Sequence, residues 1–318
     1  MTTAVVLPVF LSFGISAVLG PFVISYLRKL KVGQTVREEG PESHLKKSGT
    51  PTMGGLLFLI GVAVACIPFA KQYPKIVPVL FLTFGYGLIG FLDDYLKVVL
   101  RRSMGLSPMQ KFLGQLLVTG GFVWYMQKFS PAELPLKIPF CEKALTLPEP
   151  LNLIALFFVI IGTANGANFT DGLDGLAGSV TALIAVFLSA VSAGTGGGIT
   201  PLTCAVAGGL LGFLLFNVHP ARVFMGDTGS LALGGFVAGS AYMMGIALYI
   251  PIFGFVYLTE VLSVILQVTY YKISGGKRIL KMAPLHHHFE LCGWSETRIV
   301  AVFSIITALM CLIALAGL

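Results

Sequence analysis

Charge is the first thing this chain lacks. Only 11% of its 318 residues are charged, while 56% are hydrophobic. A soluble domain carries about 25% charged residues, so too little polar surface is available to face water. The mean hydropathy of +0.88 says the same. Cysteine is also scarce. The five residues, Cys66, Cys141, Cys204, Cys292 and Cys311, form no CxxC pair, which excludes a zinc ribbon or a redox dithiol and leaves five free thiols as the expectation. No dinucleotide fingerprint, haem motif or Ser-His-Asp order is present, and Lys46-Lys47-Ser48-Gly49-Thr50 is no P-loop because GK[ST] after a strand is missing. An internal repeat is missing too, which weighs against a transporter built from inverted halves.

What is present is a series of long apolar runs. About 20 apolar residues cross a hydrocarbon core roughly 30 Å thick. Ten such spans can be drawn, roughly Ala4–Leu27, Pro51–Ala70, Ile76–Leu92, Ser107–Gln127, Leu151–Ala164, Leu173–Ala193, Pro201–Phe216, Ser230–Tyr249, Ile252–Tyr271 and Arg298–Leu318. The first has no basic residue before it and exceeds a signal-peptide core, so it is expected to stay in the mature protein. The expected fold is an all-α integral membrane protein, a single polytopic domain over residues 1–318, because lipid forces backbone groups to be satisfied within each helix.

Lys and Arg divide 16 to 5 between the odd and even loops, which places the odd loops in the cytoplasm and both termini outside. The net charge of +7 then needs no nucleic acid; a basic inner face suits anionic lipid and phosphate. The even loop Ser130–Pro150 is rich in proline and is expected to form a small extracytoplasmic hairpin. Glycines of the eighth span (Gly229, Gly234, Gly235, Gly239) are expected to permit close helix packing. Glu260 lies within the ninth span, where a buried carboxylate is usually functional or paired, but the sequence names no partner for it.

The chemistry-bearing residues fall in the five odd loops: His44–Thr52, Asp93–Asp94, Asn165–Asp174, Asn217–Asp227 and His286–His288. Asp93 and Asp94 end the third span, where adjacent carboxylates repel each other and oppose the helix dipole, which either raises one pKa or calls in a cation. Asn165, Asn168, Asp171 and Asp174 exceed what a turn needs and suit ribose hydroxyl or base recognition, or help in placing Mg²⁺. Asp227 and Thr228 are hard oxygen ligands at a helix start, and Phe224 can stack on a base. His286, His287 and His288 cannot all face one metal from a regular helix; imidazoles can hydrogen-bond a diphosphate instead. Lys47, Thr52 and Lys111 suit an anion at the membrane surface, although snorkelling accounts for lysines there equally well. Acids clustered with basic and amide donors fit Mg²⁺-assisted phosphoryl transfer between one lipid and one soluble reactant, in a cleft at the cytoplasmic face.

SGTPTMGG, GFLDDYLKV, NFTDGLDGLAGS, FNVHPARVFMGDTGS and MAPLHHHFELCGW, taken in order over essentially the whole chain, resemble the polyprenyl-phosphate N-acetylhexosamine-1-phosphate transferases. PLHHHFE favours their muramoyl branch. The resemblance implies transfer of phospho-N-acetylmuramoyl-pentapeptide from its UDP conjugate, UDP-N-acetylmuramoyl-pentapeptide, to undecaprenyl phosphate in the bacterial cell membrane, giving lipid I and UMP with Mg²⁺. It further implies that Asp227, with Asp93 and Asp94, holds the metal, and that Asp93 orients or deprotonates the lipid phosphate. Lys47, Asn168, Asp171, Asp174 and Phe224 would hold the uridine and its phosphates, and His286–His288 would face the diphosphate or sugar. Thr52, Lys111, Asn165, Asn217 and Gln267 would line the cleft. Homodimers occur among relatives, so a homodimer is compatible. A sister transferase using a UDP-N-acetylhexosamine is the near alternative, and a cation transporter the distant one.

Overall fold

The structure is a computed structural model that describes residues 2–29, 49–98, 100, 105–129, 136–145 and 147–318. Lys47, with the rest of the first motif up to Ser48, lies outside the described residues. Within them the chain is helical: α1 (Thr2–Lys29), α2 (Gly55–Cys66), α3 (Ile76–Val98), α4 (Pro108–Phe129), α5 (Glu149–Thr170), α6 (Leu176–Thr195), α7 (Thr200–Asn217), α8 (Gly226–Met243), α9 (Ile250–Phe253), α10 (Phe255–Ile273), α11 (Leu285–Leu291) and α12 (Glu296–Ala316). Six helices are long and apolar enough to cross a membrane, or seven if the bent pair at α9–α10 counts as one span. The chain is therefore a multi-pass membrane protein.

α8 is the centre of the bundle. Every residue from Thr228 to Met243 is buried, with α3 on one flank, α5 on another and α2 at its start. Its glycines make this possible. A Cβ at Gly234 would strike the Ala164 backbone of α5, and one at Gly235 would lie 3.0 Å from the Leu82 carbonyl of α3. Where lipid is as apolar as leucine, such backbone-to-backbone packing replaces the hydrophobic drive between helices. α1 uses the same device, burying Pro8, Ser12, Ser16 and Gly20 at four-residue spacing while Phe10, Val18 and Phe22 stay exposed as a lipid-facing surface would be.

Three expectations are corrected. Asn165 and Asn168 belong to the last turns of α5 rather than to a loop, because α5 runs on to Thr170. The eighth span begins at Gly226 rather than at Ser230, and Asp227 lies in its first turn, at the helix start expected for it. The ninth span is broken: the segment Ala247–Phe253 is bent by 82° from Phe255–Ile273, with Gly254 at the break and Pro251 just before it. The expected hairpin is present, with β1 (Leu136–Lys137) antiparallel to β2 (Ala144–Leu145). Lys137 N donates to Gly245 O and Phe140 N to Gly317 O, so the hairpin is tied to the end of α8 and of α12 away from Asp227.

Candidate active site

The site begins where α3 meets the N-terminus of α8. Gly90 lies directly on the Asp227 carbonyl, and no larger side chain fits between the two backbones. One turn later, Asp93 and Asp94 are both buried, 1% and 4% exposed, and point different ways. Asp94 Oδ2 accepts from Thr228 N at 2.9 Å and Thr228 Oγ1 at 2.6 Å, and its Oδ1 accepts from Asp227 N at 3.3 Å. This carboxylate caps α8 from a neighbouring helix. The mismatch with its own helix dipole is thus offset by the positive end of another.

Asp93 faces the other way. Its Oδ1 accepts from Leu106 N at 2.8 Å, while Lys97 Nζ lies 2.5 Å and Lys111 Nζ 3.5 Å from Oδ2. Lys111 also lies 2.5 Å from Asp227 Oδ2, and Lys97 lies 3.5 Å from it. Asn168 Nδ2 donates to the other Asp227 oxygen at 2.8 Å and to Ser230 Oγ at 2.8 Å. One oxygen from each of Asp93, Asp94 and Asp227 falls within 4.8 Å of the others. Three hard carboxylate oxygens so close together, with two ammonium groups among them in the described residues, fit a small divalent cation.

Asp171 approaches from the α5–α6 loop. Burial pushes its carboxyl well above the usual range; the charges of Asp227 and Asp94 push the same way, and a Gly226 backbone hydrogen bond pulls it partly back. Gly226 has a left-handed φ of 74°, and a Cβ there would sit 2.6 Å from Asp94 Oδ2 and 2.7 Å from Thr52 Oγ1, so Thr52 closes the wall beside the acids. Asp174 turns aside. Its Oδ2 accepts from Ala221 N at 3.0 Å and lies 3.1 Å from His219 Nδ1, with Glu296 Oε2 3.8 Å from the same nitrogen.

Several expected ligands act as braces. Asn165 Nδ2 donates to Gln115 Oε1 at 3.0 Å and to Ile161 O at 2.8 Å, tying α5 to α4. Asn217 spans two motif loops, accepting from Gly175 N and donating to Val223 O. Gln267 Oε1 accepts from Ile279 N and Leu280 N, which fixes the loop leading to the histidines. Phe224 is half-buried, and its backbone pairs with Pro51 and Gly54.

The three histidines separate, as a helix demands. His286 is buried with Nδ1 3.2 Å from Glu260 Oε1, His287 Nδ1 lies 2.7 Å from Glu290 Oε2, and His288 Nδ1 accepts from Lys281 N at 3.2 Å. Lys97, Gln115, His219 and Glu296 are the members that motif reading passed over. Only Lys97 carried a usable signal, standing one helical turn after Asp93.

A family model for glycosyl transferase family 4 matches residues 76–245, and a signature of the phospho-N-acetylmuramoyl-pentapeptide-transferases matches residues 47–59. Curated relatives carry that transferase name along nearly their full length. The Clostridium perfringens protein (strain SM101 / Type A) is 46% identical, covering 99% of this chain and 97% of its own. Those of Acetivibrio thermocellus, at 47% (95% and 92% covered), and Carboxydothermus hydrogenoformans, at 48% (94% and 94%), are similar to the same extent. On these matches the chain belongs to the phospho-N-acetylmuramoyl-pentapeptide-transferases of glycosyl transferase family 4.

Proposed function

We propose that the chain transfers phospho-N-acetylmuramoyl-pentapeptide from UDP-N-acetylmuramoyl-pentapeptide to undecaprenyl phosphate, releasing UMP and forming lipid I for peptidoglycan synthesis. The observation that carries this reading is the meeting of Asp93, Asp94 and Asp227 with Lys97 and Lys111 at one end of the bundle. The 16-to-5 basic bias supports placing that end in the cytoplasm of a bacterial cell membrane, with ten spans and both termini outside.

Asp93, Asp94 and Asp227 would hold Mg²⁺, which when bound neutralises charge gathering on the diphosphate. The remaining work falls to the chain. Lys111 and Lys97 attract the phosphates of both substrates, and Asn168 fixes the carboxylate plane of Asp227. Asp94 holds the start of α8 rigid, so the acids keep their spacing as charge moves. An oxygen of the lipid phosphate attacks the sugar-side phosphorus of the nucleotide; the new P–O bond forms as the bond to the bridging oxygen breaks, and UMP leaves with that electron pair. A phosphate with a second pKa of about 6 is already ionised at neutral pH, so Asp93 serves orientation more than proton removal. Asp171 and Phe224 hold the uridine side.

The test is direct. Purified protein in detergent with both substrates and Mg²⁺ should release UMP and form a lipid-linked pentapeptide, lose this activity in EDTA, and ignore UDP-N-acetylglucosamine. Turnover of UDP-N-acetylglucosamine in place of the pentapeptide nucleotide would overturn the assignment.

A further inference from the structure

Glu260 is the one acid in the middle of a long apolar helix, α10, and it is fully buried. Both its oxygens engage the histidine segment. Oε2 accepts from Leu285 N at 2.7 Å, at the first turn of α11, and Oε1 lies 3.2 Å from Nδ1 of His286. His286 is only 1% exposed. Its other nitrogen, Nε2, lies against Gly172, so close that a Cβ on that residue could not be accommodated. Neither imidazole nitrogen makes a well-formed hydrogen bond to the described protein. A buried imidazole with an unpartnered nitrogen is costly unless a ligand or a charge answers it.

Gly172 directly follows Asp171 and stands two residues before Asp174, in the loop whose Asp171 feels the acid cluster on one side and whose Asp174 meets His219 on the other. Glu260 therefore reaches the loop through His286: the carboxylate fixes the backbone at Leu285 and faces the ring at Nδ1, and the other side of the ring abuts Gly172. We infer that Glu260 is a positioning residue for nucleotide binding, which sets the 171–174 loop by clamping His286 against Gly172. Gln267, two turns further along α10, fixes the preceding segment at Ile279 and Leu280, so one helix carries both anchors of the histidine loop.

The inference rests on the proposed transfer, and the experiment separates the two. Initial rates are measured on the full-length protein while each substrate is varied in turn. Glu260→Gln keeps an acceptor for Leu285 N but loses the charge facing His286. It should raise KM for UDP-N-acetylmuramoyl-pentapeptide about 5- to 10-fold, while KM for undecaprenyl phosphate stays within about 2-fold. Groups in direct contact couple by a factor of about 2 to more than 100, so adding Glu260→Gln to a His286→Asn background should change the nucleotide KM by less than about 2-fold. Gly172→Ala, which pushes the loop off the ring, should raise the same KM.

A merely structural role would lower the active fraction, and hence Vmax, with both KM values unmoved; that result overturns the inference. So does a full 5- to 10-fold effect of Glu260→Gln in the His286→Asn background. If the parent protein itself makes no lipid-linked product, it is the proposed transfer that fails.

Discussion

Lys111 Nζ lies 2.5 Å from Asp227 Oδ2, a contact that joins two helices 116 residues apart in the chain. The same ammonium lies 3.5 Å from Asp93 Oδ2, so one flexible lysine from α4 spans the carboxylates of α3 and α8. Its stem is long enough to turn toward an incoming phosphate without moving a helix, whereas the acids are fixed by Asn168, Leu106 N and Thr228. A rigid set of anions beside mobile cations is an arrangement that can bind a metal and a diphosphate together.

Asp227 and Asp94 should fail differently. Asp227→Asn keeps the size and loses the charge; removal of one key electrostatic group costs about 10²–10³ in rate, and the melting temperature should barely change. Asp94→Ala removes a cap and strands the buried Thr228 N–H. Cap loss costs about 0.5–2 kcal/mol and an unsatisfied buried donor about 1–3 kcal/mol, so the melting temperature should fall along with the rate. Thermal unfolding and UMP release on both variants check this; equal melting temperatures would refute the capping role of Asp94.

Gly90→Ala tests whether the α3–α8 contact sets the acid spacing. The new methyl meets the Asp227 backbone carbonyl, and inserting a group into a packed contact costs about 1–3 kcal/mol. Activity should fall at least 10-fold, because Asp93 and Asp94 move away from Asp227. Alanine at exposed Gly194, which has nothing within 4 Å of its Cβ, should leave both rate and stability unchanged.

The all-helical membrane class and the small hairpin before α5 were legible in the sequence, because lipid imposes long apolar runs and leaves proline-rich segments to the connections. The distribution of labour within the site was not. Asp93 and Asp94 look alike in FLDDYLK, and only the approach of α8 makes Asp94 a cap. Asn165 looks like Asn168, yet the three-residue offset along α5 turns one toward Gln115 of α4 and the other toward Asp227. Glu260 had no visible partner because His286 is 26 positions away, across the break between α10 and α11. Contacts between distant segments leave no periodic trace in either segment.

The chain carries its own reporters of orientation. Among its five cysteines, Cys66, Cys204 and Cys311 are buried, while Cys141 near the hairpin and Cys292 after α11 are exposed. Membrane-impermeant maleimide applied to intact cells should label Cys141 and leave Cys292 unmodified, with Cys141→Ser abolishing the signal. Labelling of Cys292 from outside would invert the topology and put the acid cluster on the wrong face for a cytoplasmic nucleotide.

The order of the reaction is the last point the geometry bears on. A two-step route needs an enzyme nucleophile, an Asp free to form an acyl phosphate and to release UMP before the lipid arrives. Each acid at the centre is already engaged: Asp94 by the α8 N-terminus, Asp227 by Lys111 and Asn168, and Asp93 by Leu106 N and Lys97. The lipid phosphate is a competent nucleophile and needs only to be held in line. Single displacement through a ternary complex is therefore expected, and initial rates over a grid of both substrates should give intersecting double-reciprocal lines. UMP should not appear when enzyme, nucleotide and Mg²⁺ are mixed without lipid phosphate. Parallel lines, or a burst of UMP equal to the enzyme concentration in that mixture, would instead identify a phospho-enzyme. Asp93 would then be the residue to examine, since freeing its Oδ2 requires only that the lysines Lys97 and Lys111 swing away.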